Sequence, residues 1–338
     1  VNPRILAKDA VRRVVAAAAP PVWRLRRQPR LLILMYHRVL PRDDATRQFE
    51  QPGMIVAPET LQMHLRVLRR DFKLMHLGDW VRAVRSGAPL PQRACAITFD
   101  DGWRDNYTWA FPVLRSAGAP ATIFLVSRLI GQAYGFWPTR LARVLHAAWA
   151  AGDPAIPAQL MQRCPAVQVP TSAPKEAAGQ LGDAVLVALK QAYGDEVMLR
   201  ATAEMESLAG GASERELMSW DEVGEMQASG LINFGSHTCT HARLRPDLEL
   251  QKAGWEIDQS AEDLQQHLGS RPDGFCYPNG DYTPATTELV RRRYDFAVTT
   301  RHGWNTPRED PMLLRRIGVH DDVSDTPGRF IARLAAGL

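Results

Sequence analysis

A chain of 338 residues, 45% of them hydrophobic and 23% charged, has enough apolar content for a sizeable core, which excludes a disordered or fibrous protein. The formal net charge of +4 is mild for this length. No Lys/Arg block is interleaved with aromatics, which argues against nucleic acid as a partner.

Residues 1–30 read as a separate N-terminal segment. Residues 5–28 carry Arg12, Arg13, Arg24, Arg26 and Arg27 and predict a basic amphipathic helix, either touching an anionic membrane surface or packed on its own domain. No signal peptide is expected, because residues 10–21 are interrupted by Arg12-Arg13 and closed by two prolines. No apolar run approaches the length of a membrane span. Residues 31–36 predict the first strand, and 59–70, with Leu61, Leu65 and Leu68 at helical spacing, a helix. The run Ala94-Cys95-Ala96-Ile97 predicts a buried strand, 106–117 a helix stopped by Gly118, and 121–126 another strand. This alternation predicts a parallel α/β sheet or barrel.

The alternation breaks over about 131–218, an alanine-rich block with prolines at 154, 157, 165, 170 and 174. Residues 141–150 and 184–193 look helical, so the block reads as a mostly helical insertion that covers or walls a cleft. Phe136-Trp137 is either a core anchor or a sugar-stacking surface. Ser219-Trp220-Asp221-Glu222 is a capping-box pattern, and Gly230 closes the helix it starts. Residues 231–235 form a further apolar run, 247–268 a long helix ended by Gly269, and 275–277, 296–299 and 313–319 the remaining strands. Thr326-Pro327 predicts the cap and first position of a last helix.

Chemistry concentrates at two strand ends. In Thr98-Phe99-Asp100-Asp101-Gly102, two carboxylates follow the apolar run, and glycine lets the chain turn at the edge where α/β folds build their sites. Adjacent like charges are costly without a positive partner, and a divalent metal would supply one. In Ser236-His237-Thr238-Cys239-Thr240-His241 the histidines are four apart, a spacing that on one helical turn puts both rings on one face. Imidazole nitrogen and carboxylate oxygen together suit Zn²⁺, although Co²⁺, Ni²⁺ and Fe²⁺ accept similar ligands. Cys95, Cys164, Cys239 and Cys276 have no C-x-x-C spacing, which favours a reducing compartment. Cys239 is offset by two from each histidine and points elsewhere on a helical turn.

These motifs resemble the polysaccharide deacetylase family, carbohydrate esterase family four, in sequence and in order. The flanking Met35-Tyr36-His37-Arg38-Val39, Tyr277-Pro278-Asn279-Gly280 and Arg316-Ile317-Gly318-Val319-His320-Asp321 resemble its surface-polysaccharide biosynthesis branch. The resemblance covers roughly residues 31–322, less the insertion. It implies an irregular (β/α) barrel of about seven strands, with residues 31–338 as the deacetylase domain. It also implies Asp101, His237 and His241 as metal ligands, Asp100 as general base, the Asn279 backbone N–H at the oxyanion and His320 as general acid. Two departures stand out. Cys276 occupies the place of the family's third-motif arginine, and Arg316 is the candidate to supply that charge from another strand. The fourth motif is missing, with Trp304 the nearest candidate for its tryptophan. His302 competes with His320 for the acid's role, and His37 is either a cleft or a structural histidine.

The expected activity is metal-dependent removal of an acetyl group from an N-acetylated amino sugar of a surface polysaccharide such as O-antigen (lipopolysaccharide) or capsule, or of a lipid-linked or nucleotide-linked precursor. The rivals are hydrolysis of another C–N bond, such as a sugar formamide or a small cyclic amide, and a non-catalytic sugar-binding relative. The expected location is the cytoplasm, peripheral to the inner membrane through the N-terminal segment.

Overall fold

The computed structural model describes Trp23, Leu25 and residues 28–175, 177–210 and 215–337. Most of the expected N-terminal basic helix therefore lies outside the described residues. Trp23 is buried, with its ring against Phe72 and Trp304 at centroid distances of 5.6 and 6.0 Å.

Seven parallel strands close a barrel: β1 (Arg30–Tyr36), β2 (Arg93–Phe99), β3 (Ala121–Leu125), β4 (Ile232–Ser236), β5 (Gly274–Cys276), β6 (Phe296–His302) and β7 (Leu314–Gly318). β1 pairs with β2 along its whole length, from Arg30↔Arg93 to Tyr36↔Phe99, and with β7 at Leu34↔Ile317, which completes the ring. The short strand Lys73–Leu74 adds to β2 outside the ring. The barrel is irregular on the β5 side. β4 and β5 share one register pair, Ser236↔Phe275, and the β6–β7 register shifts between Leu314↔Val298 and Arg316↔His302. Gly235 and Gly274 let the strands come this close: a Cβ on Gly235 would lie 2.7 Å from the Gly274 carbonyl oxygen, and one on Gly274 2.3 Å from the Phe296 ring.

The two-residue period of the strands aims alternate side chains into the barrel. Leu31, Ile33, Ala94, Ala96, Phe124, Cys276, Phe296, Val298 and Leu314 form one buried cluster with Leu77, Trp80 and Val81 of the helix Leu77–Ser86. On the outer side, Ala253, Ile257, Ala261 and Leu264 of the helix Leu250–Leu268 pack with Phe275, Tyr277 and Tyr294. That helix starts three residues later than the sequence suggests and ends at Gly269, whose φ of 73° closes it in the left-handed region. The Ser219/Glu222 capping box is present at the start of Trp220–Ala228. The single helix expected over 106–117 is instead a π-helical turn, Asn106–Ala110, running into the α-helix Phe111–Ala117.

A second compact unit comprises Arg42–Pro52 and Ala133–Glu216. Its helices Trp137–Ala151, Ala155–Arg163, Ala178–Ala192 and Asp195–Ala209 bury their own core, with Leu141, Leu145, Leu160, Leu189, Met198 and Met205 at its centre. Phe49 packs on that core, and Thr139 Oγ1 donates to Glu50 at 3.2 Å, which ties the short segment to the helices. Phe136 and Trp137 are buried at 8% and 5% exposure, and the Trp137 indole N–H donates to Asp195. The pair anchors a core, which corrects the sugar-stacking alternative: the rings are taken up by packing. Among the described residues, no helix is long and apolar enough to cross a membrane.

Candidate active site

The candidate side chains sit at the carboxyl edge of the barrel strands. Along β2 the inward series Ala94, Ala96, Thr98 continues to Asp100, which is 3% exposed. Along β7 the inward series Leu314, Arg316 brings a fully buried guanidinium to the same level. Arg316 grips Asp100 with two parallel bonds, Nη1 to Oδ1 and Nη2 to Oδ2, both 2.7 Å. Its remaining donors go to the Thr299 carbonyl (3.0 Å) and Thr98 Oγ1 (3.1 Å), and Nη2 lies 3.2 Å from Cys276 Sγ. Two desolvated charges coexist here because the fork is bidentate and the other donors are used. Burial opposes ionisation of Asp100, but Arg316 outweighs it and holds the carboxyl below the usual carboxylate range. His37, just past β1, reaches 3.8 Å from Asp100 Oδ2, and burial lowers its pKa.

Strand alternation would turn Asp101 away from the inward series, but the strand has ended there and the backbone of Asp101 turns left-handed, with φ 76°. The other non-glycine residues with positive φ among the described residues are Thr238 (64°), His241 (65°) and Asn279 (57°). All four fall in the motif loops, and such backbone costs about 1–3 kcal/mol per residue and persists only where the surroundings impose it. The turn places Asp101 Oδ1 at 3.4 Å from both His237 Nε2 and His241 Nε2. The histidines are not on a helical turn, contrary to the reading from their spacing. They lie on an irregular loop after β4, and the left-handed Thr238 and His241 bring the rings to a centroid distance of 5.0 Å.

The donor set fits a tetrahedral divalent ion. Ligand atoms about 2.0–2.1 Å from such an ion stand about 3.3 Å apart, close to the observed separations. His237 Nδ1 lies 2.8 Å from the Cys276 carbonyl oxygen, which can only accept, so that nitrogen carries the proton and Nε2 keeps its lone pair for a metal. The Trp103 indole N–H donates to Asp101 Oδ2 at 2.9 Å, leaving Oδ1 turned to the histidines. Arg38 lies 4.1 Å over the Trp103 ring and is itself held by Asp105 at 2.9 Å.

Asp100, Asp101, His237, His241 and Arg316 are thus brought together. Asn279 sits in the Pro278–Gly280 turn after β5, where its left-handed φ reorients the backbone and its side-chain amide donates to Asp281. His320 follows β7 and caps the short helix Asp321–Ser324; its Nδ1 is 3.1 Å from Asp322 Oδ2, and a Cβ on Gly53 would lie 3.8 Å from its Nε2. His302 is not gathered into the cluster: its ring faces Arg333 and the Ala336 backbone. Trp304 does not serve the site either. The chain returns from β6 to pair Asn305 with Leu31, and Trp304 is buried against Trp23 and Phe72, with its N–H on the Leu334 carbonyl. Cys239 points its thiol at Glu256 and Asp263, and burial pushes it up to about 12, so it is no third ligand. Sequence reading missed Trp103, Arg38 and Asp105. The signal available for Trp103 was an aromatic donor directly after the Asp-Asp-Gly turn.

Fold and site define a parallel β/α barrel with a cluster of candidate metal ligands at the carboxyl edge of its strands. A family model described as polysaccharide deacetylase matches residues 87–166 and 186–296. The chain belongs to the polysaccharide deacetylase family. It is 49% identical over 80 residues to the putative polysaccharide deacetylase YxkH of Bacillus subtilis, covering 20% of this chain and 29% of that one. Over 73 residues it is 34% identical to the poly-beta-1,6-N-acetyl-D-glucosamine N-deacetylase of Escherichia coli, covering 21% of this chain and 11% of that one. The matched stretches thus span less than a third of either relative. The fold is similar to that of the Streptococcus pyogenes deacetylase PplD (TM-score 0.59, 17% identity, 91% of this chain and 99% of that one). It is also similar to that of IcaB from Ammonifex degensii (TM-score 0.58, 20% identity, 90% and 97%).

Proposed function

We propose that this protein is a metal-dependent N-deacetylase that frees the amine of an N-acetylated amino sugar in a bacterial surface polysaccharide or its precursor. The observation that carries this reading is the convergence of Asp101, His237 and His241 beside the buried Asp100–Arg316 pair. Asp101 Oδ1 and the Nε2 atoms of His237 and His241 would hold the ion, with Zn²⁺ the best match to the donors. Bound there, a divalent metal supplies a Lewis acid for the acetyl carbonyl and lowers the pKa of water.

The chain's own groups do the rest. Asp100, kept ionised and oriented by Arg316, takes the proton of the attacking water at a carboxylate oxygen. The Asn279 backbone N–H donates to the oxygen on which charge develops. His320, steadied through Nδ1 by Asp322, protonates the departing amine nitrogen. Retention of Asp100 favours catalysis over sugar binding alone, since holding a metal needs no base beside it.

The test is product analysis. Poly-β-1,6-N-acetylglucosamine, chitin oligomers and N-formyl sugars are incubated with the protein, and acetate or formate is measured against free amine. Acetate and amine in equal amounts support the reading; formate alone would support hydrolysis of a different C–N bond. The same proposal places the protein in the cytoplasm beside the inner membrane. Its support is four buried, unpaired cysteines and the arginines of residues 5–28, and cell fractionation tests it.

A further inference from the structure

The loop that carries both ligand histidines is clamped by a residue outside every motif. Glu256, on the helix Leu250–Leu268, is 1% exposed. Its Oε2 accepts the backbone N–H groups of Cys239 (2.9 Å) and Thr240 (3.0 Å), and its Oε1 accepts the Thr240 hydroxyl at 2.6 Å. The Cys239 thiol lies 3.6 Å from the Glu256 carbonyl oxygen, a fourth contact between loop and helix. Among the described residues, no Lys or Arg forms an ion pair with Glu256. A buried carboxylate is costly without a cation, unless several donors converge on it. Here all three donors come from two consecutive residues of one loop.

The Ser127 and Arg128 N–H groups also reach the loop, at the Thr238 and Cys239 carbonyls (both 3.1 Å), but Glu256 supplies the contacts at Thr240, next to His241. The loop has no helical or strand ladder of its own between His237 and His241, and Thr238 and His241 hold left-handed backbone that relaxation would release. His237 has a separate anchor through Nδ1 on Cys276. His241 follows Thr240 directly, and its side chain is 27% exposed. We infer that Glu256 is a positioning residue for the metal ligands: by fixing Cys239 and Thr240 it sets His241 Nε2 against Asp101 and His237, and so sets affinity for a divalent ion. It touches no reacting atom. The inference rests on the metal reading of the site.

The test is zinc affinity, measured by competition with a chromogenic chelator, alongside thermal melting of the metal-free protein. Glu256→Gln removes the charge and one of the two accepting oxygens without changing shape. Its zinc affinity is expected to fall about 10–100-fold, as for other groups that orient ligands from behind, and more than a change in metal-free melting accounts for. Thr240→Val removes the hydroxyl donor alone and should weaken zinc about threefold. Wild-type affinity in a folded Glu256→Gln, with or without a lower melting temperature, would overturn the inference. If Glu256→Gln does not fold, wild-type affinity in Thr240→Val overturns it. A wild-type protein that binds no zinc would instead overturn the metal reading beneath it.

Discussion

Arg316 and Asp100, 216 residues apart in sequence, meet inside the barrel from the two strands that flank β1, joined by two 2.7 Å hydrogen bonds, with side chains 0% and 4% exposed. Neither charge has water to fall back on, so each depends on the other. Arg316→Met should cost about 3–5 kcal/mol of stability by leaving Asp100 buried and uncompensated. Arg316→Lys keeps the charge but cannot form the fork, so activity should fall while bound metal is retained. Urea melts and metal analysis of the two variants check this. Unchanged activity in Arg316→Lys would mean that the orientation of Asp100 is immaterial.

Asp100→Asn should keep the metal and lose about 10²–10⁴-fold in rate, the usual contribution of a general base, and, by leaving Arg316 buried without its counter-charge, should also cost about 3–5 kcal/mol of stability. Acetate release under saturating substrate measures it. Near-normal turnover would remove Asp100 from the proton's path.

Trp103→Phe should preserve the ring beneath Arg38 and remove the indole N–H that donates to Asp101 Oδ2. The exposed cost is an unsatisfied buried carboxylate oxygen, about 1–3 kcal/mol. A denaturant melt of the metal-free protein reads it, and an unchanged midpoint would mean that the indole N–H contributes nothing.

His64 makes stability depend on pH away from the site. It is fully buried, its ring stacks on Phe330 at 3.8 Å, its Nε2 lies 2.7 Å from the Ser324 carbonyl and its Nδ1 2.9 Å from the Tyr36 hydroxyl. The carbonyl takes the Nε2 proton, so Nδ1 accepts from Tyr36. Burial lowers the pKa to about 4. The unfolded chain, with a pKa of about 6.5, therefore binds the proton first on acidification. The stability contribution is full above about pH 6.5 and is lost as pH falls toward 4, about 3 kcal/mol in all. His64→Gln should flatten the stability–pH curve across that window. An identical curve in the variant would assign the acid sensitivity to other groups.

Much of the site is legible in the sequence because it lies where strand periodicity ends. The run 94–97 marks β2, and alternation carries Asp100 inward. The two histidines are legible as a pair, but not the path between them, since nothing in Thr238 or His241 announces positive φ. The exchange of Cys276 for an arginine is visible only as a departure. That Arg316 fills the gap depends on β7 closing the barrel beside β1 and bringing Arg316 to the level of Thr98 and Cys276. Trp304 misleads because the chain turns at Gly303, whose φ is 148°, and runs back along the barrel after β6. Glu256 did leave one: an acidic residue on the stripe Ala253, Ile257, Ala261, Leu264 that the helix buries. In the insertion, apolar spacing marks parts of Trp137–Ala151 and Ala178–Ala192, whereas Ala155–Arg163 is masked by prolines and Arg42–Pro52 has no periodicity to read.

The central claim is that Asp101, His237 and His241 hold a metal on which deacetylation depends. The most direct measurement is acetate release from poly-β-1,6-N-acetylglucosamine, with metal content determined on the same samples, for the native protein, the chelator-stripped protein, the stripped protein reloaded with zinc, and the His237→Ala/His241→Ala variant. The account predicts about one ion per native chain, activity lost on stripping and restored by zinc, and neither metal nor activity in the variant. Full metal content in the variant, or undiminished acetate release from the stripped protein, would contradict it.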